Sequence, residues 1–271
     1  MTPPSPADVL AAYDRQVRQR LQIALPGWTM ERTGPDGRVL RSTGPSRGGQ
    51  MSFIGFTDLD DATVDAAISG ELANFAELGG HSEWKVYGHD RPADLGARLE
   101  AAGLVPEELE ALVVGRTEDV LATGVGAVAP AGVIIRPAEG ADDYAGIAAM
   151  HGEVWGRDDS WLAAELAEEH AAGPDLLDVY VAVAAGRVVS SAWIRFLPGT
   201  DFAGLWGGST LEDWRHRGIY RALVDVRARR AHERGVEYLQ VDASPNSEPI
   251  LARLGLEKLT WTRPYAWPVG E

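Results

Sequence analysis

One segment of the sequence combines residue types that could bind an anion: Gly207-Gly208-Ser209-Thr210-Leu211-Glu212-Asp213-Trp214-Arg215-His216-Arg217-Gly218-Ile219-Tyr220-Arg221-Ala222-Leu223. A strand pattern over Leu205–Leu211 ends in it, and a helical pattern begins at Ile219. The first N–H groups of a helix have no intrahelical partner, and the macrodipole makes that end positive, so a strand-to-helix turn seats a pyrophosphate well. Gly218 lets the backbone come close to such a ligand. Arg215, Arg217 and Arg221 gather positive charge around the turn, in a chain of 271 residues whose formal net charge is -15.

The elements that must hold this turn can be read on both sides of it. Val133–Arg136 is expected as a strand, Tyr144–Val154 and Trp161–Ala171 as helices, and Val179–Ala184 as a strand paired with Val188–Ile194 across Ala185-Gly186-Arg187. After the turn come a helix from Ile219 to about Arg234, a strand Val236–Val241, a helix Glu248–Leu254 and a last strand near Leu259–Trp267. The first half has a similar order. Ala7–Leu21 reads as a helix with Ser5 as N-cap and Pro6 in the first turn, and Trp28–Thr33, Arg38–Thr43 and Met51–Phe56 read as strands. Asp61–Leu78 is helical, with Val64, Ile68, Leu72 and Phe75 at spacings of three and four and Gly79-Gly80 as its stop; Trp84–Tyr87 is a strand and Ala93–Ala102 a helix. Thr117–Gly132 is small-residue-rich and without strong period, as a linker is. The expected class is α+β.

Arg215-His216-Arg217-Gly218-Ile219-Tyr220 resembles motif A of the GNAT acetyltransferases, Arg/Gln-x-x-Gly-x-Gly/Ala, with Tyr220 in place of the last small residue. Val241–Leu256 is similar to the family's second cofactor segment, with Leu254-Gly255-Leu256 standing for Leu-Gly-Phe. The resemblance covers about Val133–Trp267. It implies a GNAT fold, a mixed central sheet flanked by helices, with acetyl-CoA as co-substrate and no metal. It also implies that Gly208, Ser209 and Thr210 offer backbone groups to the pantetheine arm, that Arg215, His216, Arg217, Gly218, Ile219, Tyr220 and Arg221 surround the pyrophosphate, and that Ser244 and Asn246 lie near pantetheine. The acceptor is then a primary amine of a small molecule or peptide, which attacks the thioester directly. The family's acid would fall at Leu251, which carries no proton, so the candidates become Asp242, Glu153, Glu212 and Asp213 as bases and Ser244 or Tyr265 as proton donors. Catalysis is assigned to Asp242, Ser244 and Tyr265. His151 is read as an ordinary helix residue, packed or exposed. Trp155, Trp161, Trp193 and Trp206 fall in the same half, where an aromatic wall would suit an amine. A GNAT-like module that binds acyl-CoA or another ligand without turnover is the alternative.

The two halves share a detail. Val86 leads through a loop to Leu95–Ala102 and Gly103-Leu104, and Val241 leads likewise to Ile250–Leu254 and Gly255-Leu256. The expectation is two GNAT-like lobes, with residues 1–120 as a noncatalytic lobe, 121–132 as a linker and 133–271 as the catalytic domain. The first lobe's counterpart of the cofactor turn is Thr57-Asp58-Leu59-Asp60-Asp61-Ala62-Thr63, whose three carboxylates would repel pyrophosphate. The net charge argues against nucleic acid or an anionic membrane as partner. With no cysteine, disulfides and a thiol-bound acyl intermediate are excluded. The N-terminus, Met1–Pro6, has no basic or apolar leader pattern, and a cytoplasmic monomer or homodimer is expected.

Overall fold

The computed structural model describes residues 4–20, 25–124 and 127–268. It contains α1 (Pro6–Tyr13), prolonged by a wider turn over Asp14–Arg18, then β1 (Thr29–Thr33), β2 (Val39–Ser46), β3 (Gly49–Thr57), α2 (Val64–Leu78), β4 (His81–Tyr87), α3 (Leu95–Ala101), β5 (Val105–Pro106) and β6 (Glu110–Arg116). The chain continues through α4 (Thr117–Gly124), β7 (Val133–Pro137), α5 (Gly140–Trp155), α6 (Trp161–Ala172), β8 (Leu177–Ala184), β9 (Arg187–Phe196), β10 (Phe202–Thr210), α7 (Ile219–Glu233), β11 (Tyr238–Ala243), α8 (Glu248–Ala252) and β12 (Glu257–Ala266). The class is mixed α+β, with helices on a mixed sheet.

Two compact units divide the chain. The first comprises Met1–Leu112, Asp242–Glu248 and Lys258–Glu271, and the second Val113–Val241 and Pro249–Glu257. These bounds differ from a division at residues 121–132. Thr117–Gly124 is helical, and Thr123 ties it to the second unit by donating its hydroxyl to the Leu254 carbonyl at 2.8 Å. Val125 and Gly126 of the expected linker lie outside the described residues, as does Leu21 at the end of the first expected helix. The last strand is taken by the first unit because Thr262, Arg263 and Tyr265 pair with Tyr87, Val86 and Trp84 of β4. β6 shows no apolar–polar alternation to mark it as a half-buried strand, because its central residues Ala111–Gly115 are all buried, so the expected elements pass over it.

In the first unit β1, β2 and β3 are antiparallel, β3 runs parallel to β4, and β4 is antiparallel to β12. Ser5 and Asp8 form a reciprocal capping box at α1, and Gly79 ends α2 in the left-handed conformation. The spacing read along α2 is realised: Val64, Ile68 and Phe75 pack in a core with Val39, Ile54, Trp84, Val86, Leu95, Leu99 and Tyr265, and Leu72 packs at its margin. The second unit repeats the plan. β7, β8, β9 and β10 are antiparallel, and β10 runs parallel to β11 after α7. Ile147, Leu166, Leu177, Val181, Ile194, Phe202, Leu223 and Leu239 are buried there.

Both units break the sheet at the same step. In β3 the register with β2 jumps from Leu40↔Phe56 to Arg41↔Ile54, so Gly55 is a bulged residue, and the parallel pairs with β4 end at Ile54↔Trp84. In β10 the register with β9 jumps between Trp206 and Ser209, and the parallel pairs with β11 end at Gly204↔Gln240. A bulge leaves a residue unpaired and bends its strand, which is how two parallel neighbours come to part.

Candidate functional site

β10 carries the segment that the sequence singles out as a candidate site in the second unit. Gly207 has φ 62, and a Cβ there would lie 1.8 Å from the Trp193 ring. Only glycine meets both demands, so the bulge is fixed by a residue type. Beyond Gly204 the strand runs on to Thr210 past its last pair with β11, so the edge of Leu205–Thr210 turned away from β9 makes no pairs with β11.

The strand leads through a short 3-10 turn, Glu212–Trp214, to α7. His216 (φ 60) and Gly218 (φ 85) are left-handed on either side of Arg217, and nothing lies within 4 Å of a Cβ built on Gly218. α7 has no side-chain N-cap, and its first intrahelical bond is Ala222 N–H to Gly218 C=O at 3.0 Å. The N–H groups of Ile219, Tyr220 and Arg221 therefore lack intrahelical partners, which is what an anion requires. Arg215, His216, Arg217 and Gly218 are exposed. Arg215 Nε donates to the Thr210 carbonyl at 3.1 Å, Arg217 lies 4.8 Å from the Trp214 ring centroid, and Arg221 donates to the Thr123 carbonyl at 2.8 Å. Their charge surrounds the turn while their forks are partly engaged.

Tyr220 does not fill the space over the open N–H groups. Its ring packs toward β10, where a Cβ on Gly208 would fall 2.8 Å from it, and burial raises its hydroxyl pKa. Two departures from generic sequence thus compensate: a large residue at 220 and none at 208. Ser209 is buried, its carbonyl accepts from Ser190 Oγ at 2.6 Å, and its hydroxyl accepts from exposed Trp155 at 3.3 Å; Thr210 Oγ1 is 2.8 Å from Ser190 Oγ.

His151, read from the sequence as a packed or exposed helix residue, is packed on α5. It is buried against Trp193 (centroids 5.7 Å), with Nε2 3.1 Å from Ser191 Oγ and a hydrogen bond to the Gly207 backbone. Burial lowers its pKa and so favours the neutral imidazole, opposed by Asp159 and by the Gly207 bond. Helical periodicity placed it on α5 but could not show that α5 covers the bulge. Among the tryptophans, Trp193 is buried, whereas Trp206 is 43% exposed and has Arg195 5.1 Å from its ring.

Asp242, Ser244, Asn246 and Tyr265 fall in the first unit, whereas Glu153, Glu212, Asp213 and Leu251 fall in the second. Asp242 receives Lys85 Nζ at 2.8 Å and lies 3.3 Å from Thr262 Oγ1. Ser244 accepts from Ser247 N–H at the turn into α8, and Asn246 is exposed on that turn. Tyr265 is buried in the core, its hydroxyl against Gly96. Glu153 pairs with Arg187, and Glu212 and Asp213 are exposed. Leu251 is buried.

Comparison with solved structures identifies the architecture. A GCN5-related N-acetyltransferase from Kribbella flavida superposes with a TM-score of 0.68 at 15% identity, over 98% of this chain and 96% of that one. The chain has the GNAT fold. A tandem GNAT protein from the clavulanic acid biosynthesis pathway matches with a TM-score of 0.63 at 13% identity, over 91% and 85% of the two chains. A GCN5-related N-acetyltransferase from Sphaerobacter thermophilus matches at 0.57 and 15% identity, over 99% and 95%. No family model and no curated protein matches by sequence. Among the described residues of this GNAT fold, no helix is long and apolar enough to cross a membrane, and no cluster of His, Asp or Glu could hold a metal.

Proposed function

We propose that the protein is an N-acetyltransferase that moves an acetyl group from acetyl-CoA to a primary amine of a small molecule or peptide, and that it works in the cytoplasm as a monomer or homodimer. The observation that carries this reading is the uncapped start of α7 set directly after a bulged strand with a free edge. The N–H groups of Ile219, Tyr220 and Arg221 would take the pyrophosphate, and the edge of Gly208–Thr210 would take the amides of the pantetheine arm, strand to strand. A backbone N–H of that edge would polarise the thioester carbonyl, where negative charge grows as the amine attacks. The ammonium must first lose a proton, and His151 beneath the bulge, whose neutral form burial favours, is better suited to draw it through water than Asp242, whose carboxylate is held by Lys85. The first unit, with its acidic Thr57–Thr63 turn, would be the noncatalytic lobe of a tandem pair.

Titration of acetyl-CoA into the protein and into Gly218→Asp tests the seat. Binding by the wild type and a loss of at least tenfold in the variant is expected, because the added carboxylate meets the phosphates. Equal binding by both would move the site elsewhere, and binding by neither would end the proposal. The second reading is an acyl-CoA-binding module without turnover, favoured by the apolar Leu251. Acetyl-CoA binding without thiol release across a panel of amines would select it.

A further inference from the structure

The first unit has a strand break of its own, and a side chain fills it. Past the last β3–β4 pair, Arg18 lies between the parting strands: its Nε donates to the Gly55 carbonyl at 3.0 Å, and its guanidinium is 3.6 Å from the Tyr87 ring centroid and 5.4 Å from that of Phe56. Asp90 accepts from it at 2.8 and 2.9 Å, and Asp14 at 2.9 Å. Every polar direction of this guanidinium is used. No pantetheine arm could enter by this route.

Outside this plug, at the carboxyl ends of β3 and β4, is a cavity of about 680 Å³ lined by Arg18, Arg32, Asp36, Arg38, Thr57, Asp58, His89 and Arg91 among others. That is the size of a small-molecule site, and the carboxyl ends of parallel strands are where such sites form. Two of its lining atoms are buried with no partner, Thr57 Oγ1 and His89 Nδ1, and Thr57 as a whole is 6% exposed. A buried hydroxyl without a partner is costly unless something supplies one.

The charges of the lining say what kind of ligand. Arg18 is matched by Asp14 and Asp90, and Arg38 by Asp60 at 2.6 Å. Arg32, Arg91, Asp36 and Asp58 are exposed and make no ion pair within 4 Å among the described residues, although Asp36 and Asp58 lie close enough to raise the Arg38 pKa and Arg32 donates to the Gly37 carbonyl at 3.4 Å. A phosphate or simple anion would meet the two carboxylates, and a simple amine the two guanidiniums. We infer that this cavity binds a small zwitterion carrying both a carboxylate and an ammonium group, an amino acid or a short peptide, with the carboxylate toward Arg32 and Arg91, the ammonium toward Asp36 and Asp58, and Thr57 at the floor.

The test is calorimetric titration of the full-length protein with the L-amino acids one at a time and with glycylglycine, against acetate, methylamine and inorganic phosphate. One or more zwitterions should bind at millimolar concentration or tighter, the three single-charge probes at least tenfold more weakly. Arg91→Ala and Asp58→Ala alter exposed side chains and should each weaken that zwitterion at least tenfold without lowering Tm, whereas Thr57→Val should weaken it by filling the floor without a hydrogen bond. No binding by any zwitterion, acetate or phosphate binding as tightly, or undiminished binding in both rim variants would overturn the inference. Acetyl-CoA binding is measured separately on the same variants and should not change.

Discussion

Gly208 and Tyr220 make a pair whose logic lies in volume. The Tyr220 ring occupies the place where a side chain on Gly208 would stand, 2.8 Å from a built Cβ. Gly208→Ala should cost about 1–3 kcal/mol by overpacking, and in a Tyr220→Ala background the same change should cost less than half as much; denaturant titration of the four proteins gives the coupling, and additive costs would mean that the contact carries no strain. Glu83 gives a prediction of a different kind. Burial lifts its carboxyl to about 7 despite Lys85, with Glu107 and Glu110 adding to the rise. Its folded pKa is above the ordinary glutamate value of 4.5, so the stability it contributes is present below about 4.5 and is lost as pH rises through about 7. Glu83→Gln should therefore be more stable than the wild type by about 1–2 kcal/mol at pH about 8, after allowance for its partial exposure, and the two should converge near pH about 5. An advantage independent of pH would point to packing. At this scale the sequence was informative where a residue type answers a local backbone demand, as at Gly218 and Gly79. It was uninformative for Asp242, whose partner Lys85 is far away along the chain, and for His151, whose burial depends on which helix covers the bulge.

Among the elements, the parallel pairs β3–β4 and β10–β11 show how far pattern reading reaches. Apart from β5, β6 and α4, strand and helix order was legible, as were the stop at Gly79 and the repeated Gly-Leu after α3 and α8, because periodicity and turn chemistry are local. The bulges at Gly55 and Gly207 were not, since a bulge is defined by register against a neighbouring strand. Nor was the plug. Arg18 reads as one more polar residue on an amphipathic helix, yet it is 6% exposed and holds two carboxylates. Arg18→Ala would leave Asp90 buried without its cation, at a cost of about 3–5 kcal/mol. Arg18→Lys should recover only part of this, since one ammonium cannot make the fork to Asp90 and reach Gly55 as well. Urea midpoints measure both, and a lysine variant as stable as the wild type would show that charge alone matters there.

At the scale of the whole molecule, the chain order and the units disagree, and that has a consequence for dissection. The first unit owns β12 because the strand's hydrogen bonds go to β4, and the second owns α4 because Thr123 fastens it to Leu254, just past α8, and Arg221 to α7. A cut in the glycine-rich stretch near residue 130 looks natural from composition, since small residues and a missing period are what linkers have. Such a cut removes α4 from the second unit and leaves that fragment with a strand whose buried Tyr265 and Thr262 have lost their neighbours on β4. A fragment of residues 113–257 keeps every segment of the second unit, carries Asp242–Glu248 of the first, and omits all of β12 but its first residue. Residues 113–257 should therefore unfold cooperatively in urea, followed by tryptophan fluorescence, whereas residues 133–271 should show a broad transition and bind a hydrophobic dye through the exposed β12. A transition as steep in 133–271 as in 113–257 would mean that the last strand can fold on the second unit alone, and that the division of the chain follows its sequence after all.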